Sequence, residues 1–198
     1  FSDAINVTGQ FWPEDFEFKD VKAEIYIENG VVTMDGATGK CGDGSIDVSM
    51  AIDGKSFDLI LRGTELPISP QFVDVLPANA SKGLPNAWRR LNPTGFMDAT
   101  IRMSRTEETH SLNMEIVPKK LIISGKEDDM FLELSTGSVI VENTNVFLND
   151  LQFELSQENK SSGVLEVGGS VHGSKDAFSI DIAADWKGAS TDSPLTRA

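Results

Sequence analysis

Apolar and polar residues alternate with a period of two along most of this chain, and no other feature constrains the fold as strongly. Successive side chains of a β-strand point to opposite faces of a sheet, so this alternation indicates strands with one buried face. Ile46, Val48, Met50 and Ile52, for example, alternate with polar or small residues. Asp53-Gly54 follows them and predicts a tight hairpin.

The same pattern recurs from Val21 to Ile182, interrupted by Gly, Asn and Asp. Asn29-Gly30, Thr136-Gly137 and Asn149-Asp150 each separate two alternating runs, so we interpret them as turns between strands. The chain is therefore predicted to be mainly β. We expect antiparallel, strongly twisted sheets that form either an open groove or a sandwich, because both arrangements need strands with one apolar face.

Residues 70–91 break the alternation and predict one or two short helices. Pro70 follows Ser69, which is a favourable helix cap, and Phe72, Val73 and Leu76 share one helical face. Pro85 can open a second short helix before Asn92-Pro93. We expect this insert to cover an end or an edge of the sheet.

Residues 20–69 and 130–187 show similar patterns and suggest two related repeats. The best match is between the hairpins at 44–59 and 163–180, with Gly30 and Gly137 as anchors. The insert 70–91 and the strands at 95–124 would then join the repeats. The alternative interpretation is that any two antiparallel hairpins look alike. We treat residues 1–198 as a single β-rich segment, and because Phe1 is not an initiator methionine we expect a longer parent protein.

The composition narrows the range of partners. The chain has 17 Lys and Arg against 31 Asp and Glu, for a formal charge of −14. Such a surface repels nucleic-acid phosphates, so we expect no nucleic-acid partner. No apolar run approaches the length of about 20 residues that a membrane-spanning helix needs, so no membrane span is predicted in this segment.

Residues with catalytic or metal-binding potential are few. His110 and His172 are the two histidines and Cys41 is the single cysteine, and none has a partner at metal-ligand or catalytic spacing. Asp35, Asp43 and Asp47, with glycines at 36, 39, 42 and 44, do not follow the calcium-loop pattern. We therefore predict neither an enzyme nor a cofactor or metal site.

Several stretches in order resemble one bacterial family. These are Ile-Glu-Asn-Gly-Val-Val-Thr-Met at 27–34, the Gly-rich hairpin at 42–61, Thr-Glu-Leu-Pro-Ile-Ser at 64–69 and Arg-Leu-Asn-Pro-Thr-Gly-Phe-Met-Asp-Ala-Thr-Ile at 90–101. Together they resemble the AsmA-like envelope proteins of the TamB and YhdP type. The likeness is one of pattern over most of residues 20–186, without a catalytic signature.

The resemblance implies a segment of a long β-groove in the periplasm, whose parent is anchored in the inner membrane. Phospholipid acyl chains and neighbouring repeats of the parent would be its partners, and phospholipid transport or outer-membrane biogenesis its role. The alternative is a β-sandwich module of a periplasmic or extracellular protein that binds carbohydrate or protein. The residues predicted to line the apolar face are Ile46, Val48, Met50, Ile52, Phe57, Leu59, Leu61, Leu165, Val167, Phe178, Ile180 and Ile182.

Overall fold

The described part of the computed structural model, residues 18–68, 92–124, 130–157, 160–173 and 178–188, folds into antiparallel strands. The strands are β1 (Phe18–Lys22), β2 (Ile25–Glu28), β3 (Val31–Cys41), β4 (Gly44–Asp53), β5 (Ser56–Ile68), β6 (Thr94–Arg105), β7 (His110–Ser124), β8 (Met130–Glu142), β9 (Asn145–Gln157), β10 (Lys160–Gly173) and β11 (Phe178–Lys187). Most have 10 or more residues, about twice the usual length of a strand.

The strands form one sheet in which, from β2 onward, each strand pairs with the next strand in sequence. The order runs β1-β3-β4-β5-β6-β7-β8-β9-β10-β11, and β2 also pairs with β3. β1 pairs with the end of β3 at Cys41, whereas β2 pairs with its start at Val31. These two short strands therefore lie end to end along one edge, and β11 forms the other edge.

The prediction of a mainly β, antiparallel fold is confirmed, and the sheet is open. No described strand joins β11 to β1. A sandwich needs two facing sheets, whereas all 11 strands belong to one. The described residues also include no helix that is long and apolar enough to cross a membrane.

Tight hairpins occur at two of the predicted turns. Asn29 and Gly30 have φ angles of 51° and 83° and connect Glu28 directly to its partner Val31. Positive φ at both loop positions is the geometry of the type I′ turn that suits twisted strands. Gly54, with φ 57°, occupies the first loop position between β4 and β5.

Two other predicted turns are wrong. Thr136-Gly137 lies inside β8 and Asn149-Asp150 lies inside β9, where the pairing of the two strands shifts register. Gly137 has φ 117° and Asp150 has φ 48°. Gly, Asn and Asp tolerate such angles in β-bulges as well as in turns, and the sequence pattern does not separate the two cases.

Bulges of this kind change which residues face the same side of the sheet. In β5, Phe57, Leu59 and Leu61 share a face, but after Glu65 (φ 54°) the same face carries Leu66. β3, β7, β8 and β9 switch in the same way. A bulge bends its strand and increases the local twist, so these positions favour a coiled sheet over a flat one.

The helices predicted at 70–91 lie outside the described residues and stay a prediction. The two-repeat organisation also stays a prediction. Its anchors differ in structure, because Gly30 lies in a hairpin turn and Gly137 lies in a bulge within a strand.

Candidate functional site

The strand register places the buried apolar side chains on one side of the sheet. Side chains directly opposite each other in an antiparallel pair point to the same face. Ile46, Val48, Met50 and Ile52 of β4 stand opposite Gly63, Leu61, Leu59 and Phe57 of β5. We call this side of the sheet the apolar face.

The middle strands extend the apolar face without interruption. Met97 and Ala99 of β6 stand opposite Pro118 and Ile116 of β7, and Ile116 in turn stands opposite Val139 of β8. The buried apolar residues of the middle strands are Met97, Ala99, Met114, Ile116, Leu121, Leu134, Val141, Leu151 and Leu155.

The last two strands complete the apolar face at one edge. Leu165 and Val167 of β10 stand opposite Trp186 and Ala184 of β11. Ile180 and Ile182 continue the row along β11, opposite Val171 and Gly169. Phe178 pairs with Gly173 and holds the next position of the same row, but its side chain lies outside what the structure describes.

Burial of the apolar face falls from the centre of the sheet to its edges. Met97 and Leu155 are 1% exposed. At one edge Ile25 and Ile27 are 56% and 74% exposed, and at the other Ile180 and Ile182 are 59% and 46% exposed. The centre therefore behaves as a core, whereas both margins present apolar surface.

Burial also changes along the strands. Cys41, Ile46 and Ile68 lie at the end of the sheet that carries the β3–β4 turn, and they are buried. Ile52 and Phe57, beside the β4–β5 hairpin at the opposite end, are only half-buried. We call this opposite end the hairpin end, since the turns at 29–30, 54–55 and 143–144 all lie there. The apolar face is thus more accessible at the hairpin end.

The opposite side of the sheet, which we call the polar side, carries charged residues and ion pairs together with some apolar residues, among them Phe96, Phe131 and Phe147. Arg62 donates to Asp47 at 3.3 Å, and Lys187 donates to Glu166 at 2.6 Å. The Glu166 carboxylate raises the pKa of Lys187. The charged residues of this side contact water, whereas the apolar face offers its side chains for apolar contacts.

Asp98 connects two bulges on the polar side. Its Oδ1 accepts a hydrogen bond from the backbone N–H of Glu65 in β5 at 3.0 Å, and its Oδ2 lies 3.0 Å from Nζ of Lys119 in β7. Burial alone would raise the pKa of Asp98, but these two hydrogen bonds and the Lys119 charge lower it overall. The carboxylate therefore holds the irregular parts of both strands against β6.

Residues with chemical reactivity are not gathered into a cluster in the described residues. Cys41 is fully buried, and burial raises the pKa of its thiol, which disfavours the reactive thiolate. His110 and His172 are exposed on different strands, and His172 lies 3.0 Å from the Ser170 hydroxyl. Within the described segments no group of three or more His, Cys, Asp or Glu side chains is placed to bind a metal ion.

Among the described residues, one buried polar side-chain atom on the apolar face has no hydrogen-bond partner. The indole Nε1 of Trp186 is buried and makes no hydrogen bond. Trp186 stands opposite Leu165 in β10, so this donor lies at the margin of the apolar face, next to the open edge of the sheet.

The predicted site residues of β4, β5, β10 and β11 with described side chains share the apolar face. Ile46 is buried, Ile180 and Ile182 are exposed, and the others are half-buried. The prediction omitted the middle strands, although the same alternation is visible at 97–103 and 112–116. It also missed Leu66, because the bulge at Glu65 shifts the period by one residue.

Comparison of the chain with protein-family models, with curated proteins and with solved structures finds no match.

Proposed function

We propose that this chain is a non-enzymatic apolar groove that binds phospholipid acyl chains. The observation that carries the proposal is that one open sheet places its buried apolar side chains on a single face, and that this face stays exposed at both edges. Acyl chains need apolar contact without hydrogen bonds, and Val, Ile, Leu, Met and Phe side chains provide it.

The shape of the face supports a groove. A flat single layer would leave a whole apolar surface in water, at a cost of about 25 cal/mol for each Å². Bulges in β3, β5, β7, β8 and β9 favour coiling of the sheet. With the apolar face inside, coiling accounts for a buried centre and accessible margins, and an acyl chain could enter at the hairpin end.

The biological setting is part of the same proposal. Together with the resemblance to AsmA-like proteins, the groove favours a segment of an envelope protein that acts in phospholipid transport or outer-membrane biogenesis. The segment would lie in the periplasm, with neighbouring repeats of a parent anchored in the inner membrane. A formal charge of −14 disfavours contact with anionic headgroups, so the recognition rests on the acyl chain.

Two neighbouring substitutions test the groove. Ile52→Lys places a charge on the apolar face at the hairpin end, where the native side chain is half-buried. Ala51→Lys is the matched control, because Ala51 is exposed on the polar side of the same strand and stands opposite Asp58. Native mass spectrometry would count bound phospholipids, and a phospholipid with a fluorescent acyl chain would give the affinity.

We expect the unmodified chain and Ala51→Lys to bind phospholipid equally. Ile52→Lys should bind at least about tenfold more weakly, a loss of about 1.4 kcal/mol, since a bound acyl chain would remove the lysine charge from water. Circular dichroism would show that both variants keep the sheet. Absence of lipid from the unmodified chain, or equal binding by the two lysine variants, would reject the proposal.

A further inference from the structure

The two edges of the sheet differ in their readiness to accept another strand. The β1–β2 edge is interrupted between Lys22 and Ile25, and its pairing with β3 shifts register. Asp20 has φ 53° at this irregularity. Interruptions and bulges at an edge protect it against the addition of strands.

The β11 edge has no such protection. Its 10 residues, Phe178–Lys187, pair with β10 in an unbroken register. It contains no proline and no residue with positive φ. Among the described residues no strand lies on its outer side. A long, regular edge with exposed Ile180 and Ile182 is a template for strand pairing.

We infer that a second copy of this chain pairs with the first through β11, in antiparallel orientation about a two-fold axis at Ala184. In this register Asp181 of each copy stands opposite Lys187 of the other, on the polar side. Ile182 stands opposite Trp186 on the apolar side. Each pair occurs twice by symmetry, as in isologous dimers.

The charges select this register over its neighbours. Centring the pairing on Ala183 would place Asp181 opposite Asp185, and centring it on Asp181 or Asp185 would place that residue opposite its own copy. Like charges directly opposite each other destabilise a strand pair. Centring on Ile182 pairs no charges. Centring on Trp186 pairs Asp185 with Lys187, but it aligns only residues 185–187 of β11. Of these six registers, the one centred on Ala184 is therefore the longest that pairs opposite charges directly.

Pairing at this edge also covers exposed apolar surface. Ile182, now 46% exposed, would pack against the indole of the second copy. Directly opposite side chains point to the same face, so the apolar faces of the two copies would join into one. The inference does not depend on lipid binding, because the pairing is made by backbone hydrogen bonds and by side chains of the edge strand.

Charge reversal tests the pairing, with sedimentation velocity of the full chain over a wide concentration range as the measurement. Asp181→Lys creates two Lys–Lys contacts and should raise the dimer dissociation constant about tenfold. The double variant Asp181→Lys/Lys187→Asp restores opposite charges across the axis and should recover part of the loss, since Lys187→Asp also removes the ion pair with Glu166. Asp185→Lys is the control. It stands opposite Ala183 in this register and should leave the constant within about twofold.

Three results would overturn the inference. The first is a chain that stays monomeric at every concentration, and the second is a dimer that Asp181→Lys leaves unchanged. The third is a dimer that Asp181→Lys strengthens, as the register centred on Ala183 requires.

Hydrogen exchange gives a second measurement, in which β11 amides should gain protection at high concentration. Asp181 lies on the polar side, so the amount of lipid bound per chain should not change in these variants. A failure of the proposed dimer can therefore be distinguished from a failure of the proposed lipid-binding groove.

Discussion

At the scale of single residues, Asp98 shows how one side chain supports irregular backbone. The bulges at Glu65 and Lys119 flank β6 on its two sides, and Asp98 contacts both of them. A bulge leaves one residue of a strand outside the regular ladder of hydrogen bonds. The carboxylate replaces one of those missing bonds, because it accepts from the Glu65 N–H.

We expect Asp98→Ala to destabilise the fold by about 1–2 kcal/mol, since the Glu65 N–H loses a charged acceptor. Asp47→Ala is the matched control, because among the described residues Asp47 forms an ion pair with the exposed Arg62 side chain. Exposed pairs contribute little, so the control should lose about 0.5 kcal/mol or less. Urea unfolding would measure both variants, and equal losses would contradict the role assigned to Asp98.

The contribution of Asp98 should depend on pH. Its pKa is lowered in the folded state, so the unfolded chain binds a proton more readily and the stabilisation is fully present above the unfolded pKa of about 3.9. It is lost as the pH falls through the folded pKa. The stability difference between the unmodified chain and Asp98→Asn should therefore be constant from neutral pH to about pH 5 and shrink below it. A difference that grows in acid would contradict this sign.

At the scale of elements, bulges align across the middle of the sheet. A Cβ atom at Gly137 in β8 would come within 2.7 Å of the Leu151 Cα and 2.8 Å of the Asp150 carbonyl oxygen in β9. The bulges of β8 and β9 thus fit together only because position 137 has no side chain. Leu134 of β8 and Leu151 of β9 therefore lie on the same face, although each strand contains a bulge at which the alternation of its side chains shifts by one residue.

Gly137→Ala should destabilise the fold by about 2–4 kcal/mol, from strain at φ 117° and from contact with the β9 backbone. Gly168→Ala is the control in β10, where the nearest atom to a new Cβ would be the Leu148 carbonyl oxygen at 3.7 Å. That is an ordinary contact, so we expect a change within about 1 kcal/mol. Thermal unfolding of both variants would compare their stabilities. A Gly137→Ala variant as stable as the unmodified chain would contradict the proposed close contact between β8 and β9.

At the scale of the whole molecule, the described sheet is a meander in which each strand from β2 onward pairs with the next strand in sequence, whereas β1 pairs with β3. Stability in such a sheet should follow burial of the apolar face. The cluster of buried side chains extends from Cys41 in β3 to Leu151 in β9. The edges formed by β2 and β11 carry exposed isoleucines instead.

Hydrogen exchange should therefore be slowest in β6–β8 and fastest in β1 and β2. Each amide of the central strands lies between two paired neighbours, whereas the short edge strands have one partner and little buried apolar contact. Mass spectrometry of peptides after exchange in dilute protein would measure this order. Uniform protection across the sheet, or protected β1 and β2, would contradict it.

The sequence predicted several features because their causes are local. Alternation along β4 and β5 follows from the geometry of single strands, and Asn29-Gly30 specifies its hairpin through its own φ angles. The turns predicted at Thr136-Gly137 and Asn149-Asp150 were wrong because they, too, were inferred from local sequence alone. These residues permit positive φ, but the neighbouring strand decides whether the chain turns back or continues through a bulge.

The amino-acid sequence by itself determined a mainly β, antiparallel chain with one apolar face per strand, since a side chain's face depends only on its place in the strand. Only the tertiary structure decided that the strands form one open sheet and that the apolar rows stay aligned. The alignment depends on bulges at Glu65, Lys119 and Asp150 and between Leu134 and Thr136, each of which shifts the register against a neighbouring strand. Because register is a property of two strands, no single strand of the sequence contains it.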